Sequence, residues 1–100
     1  MQQSGEGGED AATVDDILQD ATPGRPTKGR TRQFEKPGGA DEANSDFDSL
    51  KPGDVREIPG GGRRGTLPDG RRANVHTGSD GRPTLEIQSG PDRVKIRYGP

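Results

Sequence analysis

Counted along two neighbouring segments, Arg71 to His76 and Thr84 to Gln88, the side chains of His76, Thr84 and Glu86 fall on one face if both segments are strands. A third segment, Arg93 to Tyr98, adds Lys95 and Arg97 to that face. Together they offer an acid, a base and cations. Metal-free cleavage of RNA needs a base for the 2′-hydroxyl proton, an acid for the leaving 5′-oxygen, and cations for charge growing on phosphorus. The assignment is Glu86 as base, His76 as acid, Thr84 as a hydrogen-bonding positioner, and Lys95 and Arg97 on the phosphate. Arg82, following Ser79-Asp80-Gly81, is placed to swing over the substrate, and Arg72 belongs to a further row of the same face. DNA lacks the 2′-hydroxyl and is not cut this way. The competing reading makes Glu86 opposite Lys95 an ordinary cross-strand ion pair and His76 a surface histidine. With a single His in the chain, two-histidine mechanisms are impossible.

Turn chemistry sets the registers that make this face. Leu67-Pro68-Asp69-Gly70-Arg71 has Pro at the second position of a type I turn and Gly where a positive φ is needed. It predicts a three-residue hairpin in which Leu67 faces Arg71 and Gly65 faces Ala73. Ser89 to Asp92 suits a four-residue loop, predicting the pairs Gln88 with Arg93, Ile87 with Val94, Glu86 with Lys95, Leu85 with Ile96 and Thr84 with Arg97. The Gly-rich loop Thr77 to Pro83 brings Val75 opposite Leu85 and His76 close to Thr84. Predicted strands are Val55 to Ile58, Arg63 to Leu67, Arg71 to His76, Thr84 to Gln88 and Arg93 to Tyr98. No internal repeat is visible.

Upstream, Ala40, Ala43, Phe47 and Leu50 are spaced as one helical stripe, ended by Pro52 and Gly53. Thr13 to Ala21 reads as a shorter helix with Thr13 as cap, Asp15 and Asp16 at its positive end, and Val14, Ile17, Leu18 and Ala21 on one face. Nine residues do not make a stable isolated helix, so it docks or frays. Met1 to Ala12, rich in Gly, Gln, Ser and Glu, reads as disordered. The expectation is an α+β fold with one main helix packed on a small twisted antiparallel sheet of four to five strands. Residues 1–31 form an acidic leader with the short helix and a basic Pro/Gly linker, and residues 32–100 form the compact domain.

Composition is consistent with a small core: 22% hydrophobic residues, three aromatics and a mean hydropathy of -1.15. The net charge of -2 conceals an asymmetry, since all 15 Lys and Arg lie beyond residue 24 whereas the first 24 residues hold acids alone. A basic body with an acidic leader suits a polyanionic partner. There is no Cys, which excludes disulfides and thiolate metal sites. No segment reads as a membrane span or a Sec-type signal, so export would depend on something upstream or on a partner.

Lys36-Pro-Gly-Gly39, the Asp46-Phe-Asp-Ser-Leu50 helix ending, Gly65-Thr-Leu-Pro-Asp-Gly-Arg71, Asn74-Val-His76, Ser79-Asp-Gly-Arg-Pro-Thr-Leu-Glu-Ile-Gln88 and Lys95-Ile-Arg-Tyr98 follow one another in order. Over Gly29 to Tyr98 this series resembles the C-terminal toxin domains of bacterial polymorphic and contact-dependent toxins. The resemblance implies a nuclease related to the barnase, EndoU, colicin and RelE ribonucleases, acting on RNA, often tRNA, without a cofactor, and neutralised by a cognate immunity protein. It also implies delivery from a bacterium within a longer protein, action in the target-cell cytoplasm, and an acidic leader left from the junction. Ser79, Arg82 and Thr84 lie in its most recognisable part, and Lys36 opens its first motif; Lys36, Arg72, Ser79, Arg82 and Lys95 are the substrate-binding candidates.

Two other readings stand beside this one. The chain could be a non-catalytic module that binds nucleic acid or protein through its basic sheet and short helix. It could also be a metal-dependent DNase, although no compact carboxylate and His ligand set is visible.

Overall fold

Two hairpin turns organise the centre of the molecule. The amide of Leu67 donates to the Arg71 carbonyl at 2.7 Å and that of Gly70 to the Leu67 carbonyl at 2.9 Å, with Gly70 at φ 92. Across this turn Gly65 pairs with Ala73, as its sequence predicts. The later turn closes more tightly than expected: Ser89 pairs with Asp92, leaving Gly90 and Pro91 as the loop, yet every pair from Thr84–Arg97 to Gln88–Arg93 is the predicted one.

The computed structural model describes residues 11–100. The predicted disordered stretch, Met1 to Ala12, lies outside the described residues except for its last two. The elements run α1 (Val14–Leu18), β1 (Thr22–Pro23), β2 (Thr31–Lys36), α2 (Gly39–Ser49), β3 (Gly53–Ile58), β4 (Gly62–Thr66), β5 (Arg72–Thr77), β6 (Pro83–Ser89) and β7 (Asp92–Tyr98). All seven strands join one sheet in the order β1-β2-β7-β6-β5-β4-β3.

This corrects the expected main helix on four to five antiparallel strands. The sheet has seven strands and dominates the fold; it is also mixed, because β2 runs parallel to β7. Of the six residues in β2 only Phe34 is apolar, so no alternation announces the strand. It pairs over all six residues with Arg93 to Tyr98 of β7, and contacts close both ends. The Arg30 Nε lies 2.6 Å from Asp92 Oδ1 at the start, and the Gly99 amide donates to the Lys36 carbonyl at 2.8 Å at the finish.

Helix α2 starts at a residue that must be glycine. Gly38 has φ 108, and a Cβ there would stand 2.5 Å from Glu42 Cβ. Asp41 and Glu42 then meet the positive end of the helix, while Lys51 at φ 56 and Pro52 stop it. Its Ala43, Phe47 and Leu50 pack on Ile96, Leu85, Ile87, Val75 and Tyr98 of the sheet.

The short helix docks. Thr13 and Asp16 form the reciprocal cap, at 2.9 and 3.0 Å, and the Ala12 amide donates to the Ser49 carbonyl at 2.9 Å. α1 is shorter than predicted, but its Val14 and Ile17 belong to the same core as α2. Packing therefore does not divide the chain at residue 32. Both described helices lie on one side of the sheet, and no described helix covers the other, bare side.

Candidate active site on the bare sheet face

Alternation along the strands decides what the bare face presents. One row runs Glu35, Arg97, Thr84 and His76 across β2, β7, β6 and β5. The next runs Gln33, Lys95, Glu86, Asn74, Arg64 and Arg56 from β2 to β3. The third contains Arg93, Gln88 and Arg72. The same alternation splits the Arg63-Arg64 pair. Arg63 turns to the helix side, where it lies over the Phe47 ring and binds Asp48 and Asn44, whereas Arg64 stays on the bare face.

Glu86 stands at the centre, with a side chain only 12% exposed. One oxygen is 3.4 Å from His76 Nε2, and the other is 3.4 Å from Arg93 Nη1. The Glu86–Lys95 ion pair of the competing reading does not form; the diagonal neighbours hold the carboxylate instead. Among the described residues no carboxylate lies within 4.0 Å of Lys95, Arg64 or Arg72.

Both ring nitrogens of His76 have a partner. Nδ1 lies 3.1 Å from the Thr77 carbonyl, which can only accept, so Nδ1 is the donor there. Nε2 then faces a carboxylate favourably only when it too carries a proton. Nε2 is thus the ring nitrogen that faces the Glu86 carboxylate.

A loop clamps the neighbouring row. Gly78 to Arg82 closes with the Gly78 amide donating to the Arg82 carbonyl at 2.8 Å and the Gly81 amide to the Gly78 carbonyl at 2.9 Å. Asp80 accepts from the Arg82 amide at 3.0 Å and from its Nε at 2.8 Å. These two bonds, the backbone one first, hold the Asp80 carboxyl below its ordinary range. The Asp80 side chain also raises the already high pKa of Arg82. Asp80 Oδ2 lies 3.4 Å from the buried Arg97 Nε without the alignment of a hydrogen bond, while the Arg97 Nη1 donates to Gln33 Oε1. Arg82 Nη1 is 3.7 Å from Glu35.

Thr84 lies beneath this loop, 2% exposed, and its hydroxyl donates to the Arg82 carbonyl at 3.2 Å. A Cβ on Gly78 would stand 2.7 Å from Thr84 Oγ1, so the loop rests against the hydroxyl. Thr84 is thus a positioning residue for the loop.

The structure gathers His76, Thr84, Glu86, Arg97, Arg82 and Lys95 into adjoining rows, with Arg72 in the third and Ser79 exposed on the loop. Lys36 is elsewhere. It is buried on the helix side with its Nζ 2.8 Å from Asp46 Oδ2, so the expected substrate contact from Lys36 is corrected. β2 is paired in the opposite parity from the one a contact there requires, and Lys36 sits opposite Tyr98 rather than Arg97.

Sequence reasoning placed Arg93 on this face without a role and missed Asp80, Gln33 and Glu35. Asp80 had a signal: Asp69-Gly-Arg71 and Asp80-Gly-Arg82 are the same tripeptide, and both turns make the same set of bonds. Gln33 and Glu35 had none, since β2 itself was not expected.

Among the described residues, no group of three His, Asp or Glu is placed to hold a metal ion, and no helix is long and apolar enough to cross a membrane. Comparison with protein-family models, with curated proteins and with solved structures finds no match.

Proposed function

We propose that this chain is a metal-independent endoribonuclease domain that cleaves RNA through a 2′,3′-cyclic phosphate on the bare sheet face. The observation that carries this reading is the contact of Glu86 with His76 at 3.4 Å, on a surface surrounded by Arg93, Lys95, Arg97 and Arg82. A base, a proton donor and cations are within one side-chain length of one another, which is the requirement for internal transesterification of a phosphodiester.

Glu86 accepts the 2′-hydroxyl proton as the 2′-oxygen attacks phosphorus, and the proton on His76 Nε2 passes to the departing 5′-oxygen. In-line displacement puts base and acid on opposite sides of phosphorus, so their contact opens when substrate enters. His76 is the partner free to turn, because its other anchor is the single bond to the Thr77 carbonyl. Lys95 and Arg97 meet the phosphate, Arg82 closes from the loop, and Ser79 and Arg72 touch the flanking nucleotides. Arg93 holds Glu86 from the far side.

The resemblance to polymorphic toxin domains adds the biological setting: a toxin delivered from a bacterium within a longer protein, tRNA as the target in the recipient cytoplasm, and a cognate immunity protein as inhibitor. Incubating the purified chain with total tRNA in EDTA tests the reaction itself. Fragments ending in 2′,3′-cyclic phosphate, lost in Glu86→Gln and His76→Ala, are the expected result. Intact RNA after long incubation with a folded protein overturns it, and tight salt-dependent binding of that intact RNA would identify a binding module instead.

A further inference from the structure

The bare face continues past the Glu86 centre toward β3, away from Arg97 and the Gly78 to Arg82 loop. There a groove of about 350 Å³ is lined by Arg56, Arg64, Arg72, Asn74, Gln88 and Asp54, none of which the reaction requires except as a flanking contact from Arg72. Asn74 pairs with Glu86 on one side and with Arg64 on the other, and Arg64 pairs with Arg56. The groove therefore begins next to the reactive centre and crosses three strands at about 5 Å per strand.

Two properties of this groove identify its occupant. The first is charge. Three guanidiniums line it against the single carboxylate of Asp54, which Arg56 already engages at 3.3 Å. Arg64 and Arg72 are exposed and have no carboxylate partner among the described residues, although pairing a surface arginine is easy in a chain with 17 acids.

The second property is the lack of an aromatic stacking platform. The chain's three aromatics are Phe34, Phe47 and Tyr98. Phe47 and Tyr98 are buried on the helix side, and Phe34, paired with Ile96, packs against that same core. A surface that reads single-stranded bases uses aromatic faces. This groove has planar cations and the amides of Asn74 and Gln88, which suit phosphate and ribose oxygens.

We propose that the Arg56, Arg64 and Arg72 groove is a backbone track for RNA, holding the phosphates on one side of the scissile bond without reading base identity. The proposal builds on the nuclease reading for its ligand, and it specifies where the strand runs: from the Glu86 centre across β5, β4 and β3. Each phosphate held there displaces counterions, so affinity falls with salt at a slope of about -0.7 per contact for a single strand.

The test uses an oligoribonucleotide 2′-O-methylated at every sugar, which binds but cannot be cut, followed by fluorescence anisotropy across a salt series. Arg64→Gln combined with Arg72→Gln is expected to weaken binding at low salt and to reduce the slope by about 1.4. Arg64→Lys with Arg72→Lys should retain the slope, because a point charge suffices for counterion release. Oligomers of different base composition should respond alike. An unchanged slope in a folded Gln variant overturns the track even if tRNA is cleaved by the parent chain. A reduced slope with no cleavage by the parent keeps the track and refutes the nuclease reading. Tighter binding of an oligoglutamate peptide than of the oligonucleotide would overturn the assignment to a nucleic-acid backbone.

Discussion

Asp46 and Glu86 are carboxylates on opposite sides of the same sheet, with side chains 11% and 12% exposed, and each has two donors. Asp46 accepts from the Tyr98 hydroxyl at 2.7 Å and from Lys36 Nζ at 2.8 Å. Glu86 has its donors, His76 and Arg93, both at 3.4 Å. Burial alone therefore does not separate them; the tightness of pairing does. The Asp46 bonds are short, and its lysine partner is as buried as it is. Such a group is part of the scaffold, since breaking either bond strands a charge or a hydroxyl. The Glu86 bonds are long, and its partners are 31% and 46% exposed. They can move aside, so this carboxylate can exchange a donor for a substrate hydroxyl at small cost.

The sharpest way to break the contrast is to remove Asp46. Asp46→Ala leaves the buried Lys36 with only the more exposed Glu42, 3.8 Å away, as counter-charge, and is expected to cost up to about 3–5 kcal/mol in urea unfolding. That is a large share of the stability of a small domain. Adding Lys36→Met to the same chain should recover much of the loss; failure to recover would mean that the bond to the Tyr98 hydroxyl, rather than the ion pair, carries it.

Glu86→Gln should do the reverse. It keeps the shape and should change the midpoint of unfolding little, while RNA cleavage falls on the order of 10²-fold or more. A destabilisation comparable to that of Asp46→Ala would place Glu86 in the scaffold and dissolve the contrast.

Alkaline pH isolates the helix-side network. Burial, then the hydrogen bond to Asp46, pushes the Tyr98 phenol far above its ordinary value. The folded protein keeps this proton where the unfolded chain releases it near pH 10. Stability from this group is therefore complete below about pH 10 and declines as pH rises, by up to about 1.4 kcal/mol per unit. Tyr98 is the chain's only tyrosine, so its phenolate absorbance reports the transition directly. Tyr98→Phe should remove this part of the decline while lowering stability at neutral pH.

The smallest effect separates the twin turns. Asp69→Ala and Asp80→Ala remove equivalent clamps, and each should lower the melting temperature by a few degrees at most. Only Asp80→Ala also loosens Arg82 and Arg97, and it should reduce cleavage by roughly tenfold. Equal cleavage in the two variants would remove the loop from the site.

The pairs from Gly65–Ala73 to Thr84–Arg97 were readable in the sequence because Pro68, Asp69, Gly70 and Gly90 act within a few residues, and a period of two then assigns every side chain to a face. α2 was readable from Ala43, Phe47 and Leu50, which share one stripe. Lys36 was misplaced because its partners, Asp46 and Tyr98, come from a helix and a strand brought together by packing.

The sequence by itself determined the Leu67 to Arg71 turn, the registers of β4 to β7 and the grouping of His76, Thr84, Glu86, Lys95 and Arg97, because these depend on local dihedral preference and alternation. Tertiary structure alone decided the parallel entry of β2, the docking of α1, and which cation holds which carboxylate. Those outcomes depend on contacts between residues distant in the chain. Their free energy exists only once the sheet has closed, and no local pattern of residue types records it.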